Sequence, residues 1–162
     1  MNETRTGIGF DAHRFADGRR LILGGVAIEH ARGLLGHSDA DVLVHAVIDA
    51  ILGAAAAGDI GTHFPDSDAR WKDADSTALL RRTVDIVAAQ GWRIGNVDAT
   101  VAAEAPRLRA HVPEMRRRLA EAMGCGVEAV SVKATTVEKM GALGREEGIA
   151  ALAAACLARR ST

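Results

Sequence analysis

Residues 7–15 read Gly-Ile-Gly-Phe-Asp-Ala-His-Arg-Phe, a stretch that favours a β-strand near the start of the fold. Asp11 and His13 lie two positions apart, so both side chains leave the same face of an extended strand and can reach one ion. Residues 37–45, His-Ser-Asp-Ala-Asp-Val-Leu-Val-His, lead into a helix and place His45 in its second turn. Two imidazoles and one carboxylate commonly hold catalytic zinc and leave the fourth tetrahedral position open to a substrate oxygen. The sequence therefore predicts a zinc site.

Strands and helices alternate outward from this stretch. The pattern predicts an opening pair of strands at residues 7–15 and 21–28, further strands at 94–105 and 127–137, and helices from Ser38 or Asp39 to about Gly58, from Ser76 to about Gln90, and from Pro113 to Met123. Residues 58–71 form a loop long enough to be a mobile flap. Residues 148–160 are ambiguous, because Ala and Leu favour a helix only weakly. Interleaved strands and helices indicate an α/β or α+β fold.

Composition limits the classes of function. The 162 residues, 48% of them hydrophobic, suffice for a single domain over 1–162 with its own core. Twenty basic against 21 acidic residues give no general positive field, and three Phe, two Trp and no Tyr offer few platforms for stacking bases. The apolar stretches fall short of the roughly 20 residues of a membrane span. Cys125 and Cys156 have no disulfide or metal spacing. We expect a cytoplasmic protein that binds neither nucleic acid nor membranes.

Three further segments carry side chains suited to an anionic ligand. His37 and Ser38 precede the predicted helix, whose N–H groups favour an anion, although Ser38 is equally well explained as a cap. Residues 59–66, Asp-Ile-Gly-Thr-His-Phe-Pro-Asp, suit sugar hydroxyls, although loops are rich in such residues anyway. Residues 133–139, Lys-Ala-Thr-Thr-Val-Glu-Lys, suit phosphate oxygens and a magnesium ion on Glu138, the alternative being a surface ion pair at a polar strand end.

Two carboxylates lie on the helix face of His45. Asp41 and Asp49 stand four residues before and four residues after His45. A metal-bound histidine commonly donates its second ring N–H to a carboxylate, which fixes the tautomer and the orientation of the ring. We expect Asp49 to orient His45 in this way, the alternative being a solvated helix residue.

Six short blocks occur in a fixed order between residues 7 and 157: Gly-Phe-Asp-Ala-His, Gly-Leu-Leu-Gly-His-Ser-Asp-Ala-Asp, Gly-Asp-Ile-Gly-x-x-Phe-Pro-Asp, Gly-Asn-Val-Asp, Val-Lys-Ala-Thr-Thr-x-Glu-Lys and Gly-Arg-x-Glu-Gly-Ile-Ala. In these blocks the chain resembles the 2-C-methyl-D-erythritol 2,4-cyclodiphosphate synthase family of the non-mevalonate isoprenoid pathway. The resemblance implies a mixed, mostly four-stranded sheet covered by helices on one face, in a ferredoxin-like or chorismate-mutase-like homotrimer with active sites between subunits. It also implies that residues 148–157 form a strand.

The resemblance assigns roles residue by residue. It implies that Asp11, His13 and His45 hold zinc and that Glu138 binds magnesium or manganese. It counts His37, Asp66, Thr136 and Glu138 as catalytic. It places Asp59, Ile60 and Gly61 near the ribose, His37, Ser38 and Asp66 near the methylerythritol phosphate, and Ala103, Pro106, Arg107, Leu108, Arg109, Ala134, Thr135, Thr136 and Val137 around the cytosine and its phosphates, largely from the adjacent subunit.

The chain departs from the family pattern at a few positions. Val137 stands where relatives can carry Thr, and Arg107 replaces a frequent Lys, which should still bind phosphate with altered geometry. Some relatives bind an isoprenoid diphosphate on the trimer axis through an aromatic residue, an Arg and a Glu. Here Arg145 matches and is counted among the substrate-binding residues, whereas Ala142 and Leu152 occupy the other two places. The resemblance therefore gives weak support for that regulatory ligand.

The implied reaction is an intramolecular ring closure. The 2-phosphate of 4-diphosphocytidyl-2-C-methyl-D-erythritol 2-phosphate attacks its own β-phosphorus, expels CMP and closes an eight-membered cyclic diphosphate, which makes the enzyme a metal-dependent phosphorus-oxygen lyase. Two other functions use the same residues. A zinc-dependent phosphohydrolase would activate water at the open metal position. A non-catalytic trimeric sensor would bind cytidine nucleotides without turnover.

Overall fold

The computed structural model describes residues 3–160, which form strands interleaved with helices, as the sequence predicts. In chain order the elements are β1 (Thr4–Ala16), β2 (Leu21–Leu23), β3 (Val26–Ile28), β4 (Gly33–Leu34), α1 (Val42–Ala54), α2 (Ile60–His63), α3 (Ser76–Ala89), β5 (Trp92–Ala102), α4 (Val112–Met123), β6 (Val130–Thr135), α5 (Gly141–Gly144) and β7 (Gly148–Arg159). Short 3-10 turns lie at Ala69–Trp71 and Val127–Ala129.

The main sheet is mixed and has the strand order β4-β1-β7-β5-β6. Within residues 3–160, β5 and β6 are the one parallel pair, while β7 is antiparallel to both β1 and β5. Since β4 contributes two residues, the sheet consists mainly of four long strands, which confirms the expected architecture. The ambiguous C-terminal segment is the central strand β7, because pairing on both edges overrides the helix propensity of its alanines.

Two glycines of β1 bring the first helix against the sheet. A side chain at Gly7 would collide with the backbone of Ala50, and one at Gly9 would collide with the backbone of Ala46. Only glycine permits so close an approach of helix and strand. The approach matters for the site, because Asp11 continues the same strand and His45 lies beside Ala46 on the same helix.

The helices lie on one face of the sheet and leave an apolar patch on the other. Successive side chains of a strand point to opposite faces, so Ile8 and Phe10 face away from α1. They are 78% and 64% exposed, and Leu152, which pairs with Phe10 in register, is 52% exposed. Within residues 3–160, no helix is both long and apolar enough to cross a bilayer.

Several element boundaries differ from the sequence-based predictions. Residues 21–28 do not pair with β1 but fold into the separate β2–β3 hairpin, because Gly24 and Gly25 turn the chain with φ of 59° and 73°. Helix α1 is capped by Asp41 rather than Ser38 or Asp39 and ends at Ala54 rather than near Gly58.

The remaining differences lie around the expected loop and the later elements. Residues 58–71 contain the short helix α2 instead of being a plain loop. Helix α3 is capped by Asp75 rather than Ser76, whose hydroxyl is used elsewhere. Strand β6 ends at Thr135, so Thr136 and Val137 lie in the turn that follows it.

Candidate functional site

Asp11, His13 and His45 converge beneath the N-terminal end of α1. Oδ2 of Asp11 lies 2.9 Å from Nε2 of His13 and 3.0 Å from Nδ1 of His45, and the two nitrogens lie 3.3 Å apart. A tetrahedral zinc with ligands at about 2.0–2.1 Å requires ligand atoms separated by about 3.3 Å. The three residues therefore fit a divalent metal ion, and the donor set of two nitrogens and one oxygen fits zinc.

The tautomer of His13 is set by the backbone. Its Nδ1 lies 2.7 Å from the carbonyl oxygen of Leu35, an atom that only accepts. Nδ1 must therefore carry the hydrogen, and the lone pair of Nε2 faces Asp11 and His45. The nitrogen that a metal needs is thus free of its proton when the ring is neutral.

The tautomer of His45 is set by two serine hydroxyls. Ser76 donates its hydroxyl hydrogen to the Asp39 carboxylate, so its oxygen, 3.0 Å from Nε2 of His45, accepts there. The Ser38 hydroxyl oxygen accepts from the backbone N–H of Ala40 and lies 3.1 Å from the same Nε2. Nε2 therefore donates, which leaves the lone pair of Nδ1 directed at the metal position.

The expectation that Asp49 orients His45 is corrected by this geometry. The Asp49 carboxylate accepts the backbone N–H of Ile60 at 2.8 Å, and so ties α1 to α2. Asp41 accepts from Val44, Gly24 and Gly25 as the cap of α1. Because the outer nitrogen of His45 faces the start of α3, its partners come from the residues before α1 and from α3, not from its own helix.

The charge of the cluster suits a cation. Burial alone would raise the pKa of Asp11, but its contacts with the His13 and His45 rings lower that pKa far below its ordinary value. Burial opposes the protonation of His13, yet the Asp11 carboxylate raises the pKa of that ring. The burial of Asp49 raises the pKa of its carboxyl, against the effect of the Ile60 N–H. Asp11 therefore stays ionised between two imidazole rings. A divalent ion can bind to such a group of ligands in place of the protons that the rings would otherwise take up.

A cavity of about 390 Å³ opens onto this cluster. Its wall contains the three candidate ligands, six other residues to which the sequence analysis gave a role, and five to which it gave none. The six are His37, Ser38, Asp49, Ile60, Gly61 and Asp66, and the five are Gly36, Phe64, Pro65, Trp71 and Leu79. Asp59 is not part of this wall, because its carboxylate caps α2 by accepting from Thr62.

A second cavity of about 270 Å³ lies where the parallel strands β5 and β6 end. The carboxyl ends of parallel strands are a usual place for ligands in α/β folds. Its wall contains eight of the nine residues that the resemblance assigned to the nucleotide, together with Glu104: Ala103, Glu104, Pro106, Arg107, Leu108, Arg109, Ala134, Thr135 and Thr136. Val137 and Glu138 follow in the adjoining turn, where the Thr136 hydroxyl donates to Glu138 at 3.0 Å.

Arg145 lines neither cavity. Its Nε donates to the Glu147 carboxylate at 2.7 Å, near the C-terminal end of α5. The structure thus separates Arg145 from the other predicted substrate-binding residues within one chain.

Beyond those five wall residues, three residues with hydroxyl or carboxylate side chains were not predicted to belong to the site. Asp39 and Ser76 act through His45, and Glu104 lines the second cavity. Ser76 and Asp39 each carried a signal as candidate caps of helices, but their hydroxyl and carboxylate bond to each other instead. Glu104 stands among residues assigned to the nucleotide, yet its negative charge gave no reason to place it beside an anion.

Comparison with known proteins identifies the family. The model of the YgbB family matches residues 4–158. The chain belongs to the YgbB family. Curated relatives of this YgbB chain include the 2-C-methyl-D-erythritol 2,4-cyclodiphosphate synthase of Salinibacter ruber, 63% identical over 93% of this chain and 96% of the relative. The synthase of the same name from Pseudomonas aeruginosa strain UCBPP-PA14 is 58% identical over 96% of this chain and 99% of the relative.

Solved structures of related proteins share the YgbB fold seen here. The bifunctional IspDF of Campylobacter jejuni superposes with a TM-score of 0.94 at 43% identity, covering 98% of this chain and 43% of that longer chain. The Plasmodium falciparum IspF CDP complex superposes with a TM-score of 0.86 at 31% identity, covering 99% of both chains. These likenesses confirm the predicted family and fold.

Proposed function

We propose that this protein is a 2-C-methyl-D-erythritol 2,4-cyclodiphosphate synthase. The observation that carries the proposal is the convergence of Asp11, His13 and His45 at zinc-ligand spacing, in a chain with relatives of that name over nearly its whole length. The substrate would be 4-diphosphocytidyl-2-C-methyl-D-erythritol 2-phosphate, and the products the cyclic diphosphate and CMP. The CDP complex of the Plasmodium falciparum relative supports a cytidine nucleotide as the ligand class.

The chain supplies positioning and charge rather than a nucleophile. His37, Ser38 and Asp66 line the metal cavity and would hold the methylerythritol phosphate end. Holding the attacking phosphate beside its target makes the step intramolecular, which lowers the entropic cost of the reaction. A phosphate at neutral pH is already ionised, so no general base is needed. When bound, zinc and magnesium supply Lewis-acid neutralisation of the diphosphate charge.

The second half of the site would bind the nucleotide. Arg107 and Arg109 line the second cavity and offer their guanidinium groups to the phosphates. The Thr136 hydroxyl and the Glu138 carboxylate stand at the edge of that cavity, where Glu138 would bind magnesium or manganese. Glu138→Gln should weaken the dependence on added magnesium while zinc content stays unchanged; an unaltered magnesium titration would contradict the role of Glu138.

The two halves would meet in a homotrimer. The exposed patch of Ile8, Phe10 and Leu152 lies on the sheet face without helices, and a surface of this kind is characteristic of a subunit interface. We propose three copies of this single-domain chain with active sites between neighbours, in the cytoplasm. Phe10→Asp should give a monomer by sedimentation that retains zinc and loses activity. A trimeric Phe10→Asp protein would contradict this use of the patch.

Product analysis tests the reaction directly. The purified protein, loaded with zinc and magnesium, is given the substrate, and the products are separated by chromatography and identified by phosphorus NMR. We expect CMP and the cyclic diphosphate in equal amounts. Free methylerythritol phosphates would instead indicate a zinc-dependent phosphohydrolase. Binding of CDP with no release of CMP would indicate a nucleotide sensor.

A further inference from the structure

Glu104 follows strand β5 and reaches across to the turn after β6. Strands β5 and β6 are parallel, with Ala102 opposite Thr135, so their ends lie side by side. Oε1 of Glu104 accepts the backbone N–H of Val137 at 3.0 Å and that of Lys139 at 3.1 Å. One carboxylate oxygen thus holds two alternate N–H groups of the same turn.

The turn that Glu104 holds has a strained backbone. Glu138 and Lys139 have φ of 53° and 60°, in the left-handed region that residues with a Cβ rarely adopt. Such conformations persist only where the surrounding structure holds them, and they concentrate at functional sites. A second contact restrains the same turn, because Gly144 lies so close to the backbone of Lys139 that any side chain at position 144 would collide with it.

The charge of Glu104 is the opposite of what an anion-binding cavity requires. The residue lines the same cavity as Arg107 and Arg109, yet a carboxylate would repel a phosphate there. The two hydrogen bonds that Glu104 accepts from backbone N–H groups indicate a structural role instead. They fix the turn in which Thr136 faces the cavity and donates to Glu138.

We propose that Glu104 is a positioning residue that locks the turn of residues 136–139 and so sets where Thr136 and Glu138 meet the diphosphate and its magnesium. The inference rests on the proposed function and deepens it, because it couples the nucleotide cavity to the magnesium ligand through one acceptor oxygen. To hold this turn, residue 104 must supply a hydrogen-bond acceptor but need not carry a negative charge.

The test compares Glu104→Ala with Glu104→Gln. The measurement is CDP binding by calorimetry over a magnesium titration, with zinc content, melting temperature and steady-state kinetics on the same samples. Glu104→Ala should raise the magnesium concentration for half-maximal CDP binding by about 10- to 100-fold, the usual cost of losing a residue that orients a metal ligand, and lower kcat/KM in parallel. Glu104→Gln keeps an acceptor oxygen and removes the repulsion, so its CDP affinity should equal or exceed that of the wild type.

Controls separate this effect from general damage and from failure of the proposed function. Glu114→Ala removes an exposed carboxylate of α4 far from the turn and should leave the CDP titration, the zinc content and kcat/KM unchanged. If Glu104→Ala is unstable, Gly144→Ala disturbs the same turn from the other side and should likewise raise the magnesium concentration for half-maximal CDP binding; a wild-type value in Gly144→Ala would then overturn the inference. Wild-type behaviour of Glu104→Ala overturns the inference, and so does equal damage by Gln and Ala, which would show that the charge is needed.

The wild type reports on the proposed function independently. If it binds CDP with magnesium but forms no cyclic product, the synthase assignment fails while the CDP titrations still decide the role of Glu104. If the wild type does not bind CDP at all, both proposals fail.

Discussion

The candidate metal cluster and the proposed nucleotide cavity differ in how complete they are within one chain. Asp11, His13 and His45 already place ligand atoms within 4.8 Å of one another. In each histidine the ring nitrogen that points away from the cluster is hydrogen-bonded, in His13 to the Leu35 carbonyl and in His45 to the Ser38 and Ser76 hydroxyls. The nucleotide cavity instead contains exposed side chains such as Arg107 and Thr136. Among residues 3–160, the two cavities have no lining residue in common.

The two halves of the site are therefore held by different parts of the fold. The metal half is fixed by the packing of α1 on β1, so it should form in each folded chain before any ligand arrives. The nucleotide half is fixed mainly by strand ends and one turn, so its side chains should gain order from the ligand and from a neighbouring subunit.

The largest effect is expected from His45→Ala. The substitution removes the only metal ligand that α1 supplies, so zinc content should fall from about one equivalent per chain to near zero. Activity should fall at least about a thousandfold, because a bound metal contributes several kcal/mol to stabilising such a transition state. Elemental analysis and the CMP assay check both, and sedimentation should show an intact trimer. His30→Ala, a loop histidine outside both cavities, is the control, and unchanged zinc in His45→Ala would contradict the site.

Mixed trimers test whether the two halves of a working site come from different chains. His45→Ala destroys the metal half, and a second variant, Thr136→Ala, damages the nucleotide half. Each alone should be nearly inactive, but chains mixed by co-refolding should recover about a quarter of wild-type activity, since random assembly gives that share of sites with both halves intact. If both halves lie in one chain, the mixture stays inactive. Unmixed samples refolded separately and then combined are the control.

The serines behind His45 are expected to have an intermediate effect. Ser76→Ala should weaken zinc binding by about 10- to 100-fold, measured by competition with a chelator, because the ring loses a partner that fixes its tautomer. Ser38→Ala should cost less, since Ser76 still accepts from the same N–H and keeps its bond to Asp39. The double variant should cost more than the sum of the two single changes. Ser131→Ala on the exposed side of β6 is the control, and unchanged zinc affinity in the double variant would contradict the assignment.

The sequence was most informative where local spacing and structure coincide. The Asp-x-His of β1 predicts two ligands on one strand face, and the structure brings both to His45. The alternation of Val97, Ala99 and Val101 predicts the buried face of β5, and these residues are buried. Predictions of this kind agree with the structure because they depend on the periodicity of side chains along one element.

The failures concern contacts between elements. Asp49 has the correct helical spacing from His45, but spacing on a helix does not reveal that α3 packs beside that ring and offers Ser76. Glu104 could not be assigned because its partners, Val137 and Lys139, are backbone N–H groups more than 30 positions away. The helix propensity of β7 is likewise overridden by neighbours on both edges.

The smallest effect is expected from Arg107→Lys on the nucleotide side. Lysine keeps the charge but loses the forked pair of N–H donors, so CDP affinity should fall by less than about tenfold. Arg107→Ala should lose more, and its binding should depend less steeply on salt, because an exposed charge is screened by added ions. Calorimetry at two salt concentrations measures both changes, with Arg93→Lys at the far end of β5 as the control. Equal CDP affinity and salt dependence in wild type and Arg107→Ala would show that Arg107 does not meet the phosphates. In that case backbone groups of the second cavity, and not the Arg107 side chain, would hold the phosphates. The two halves of the site would then differ only in how many helices and strands contribute to each.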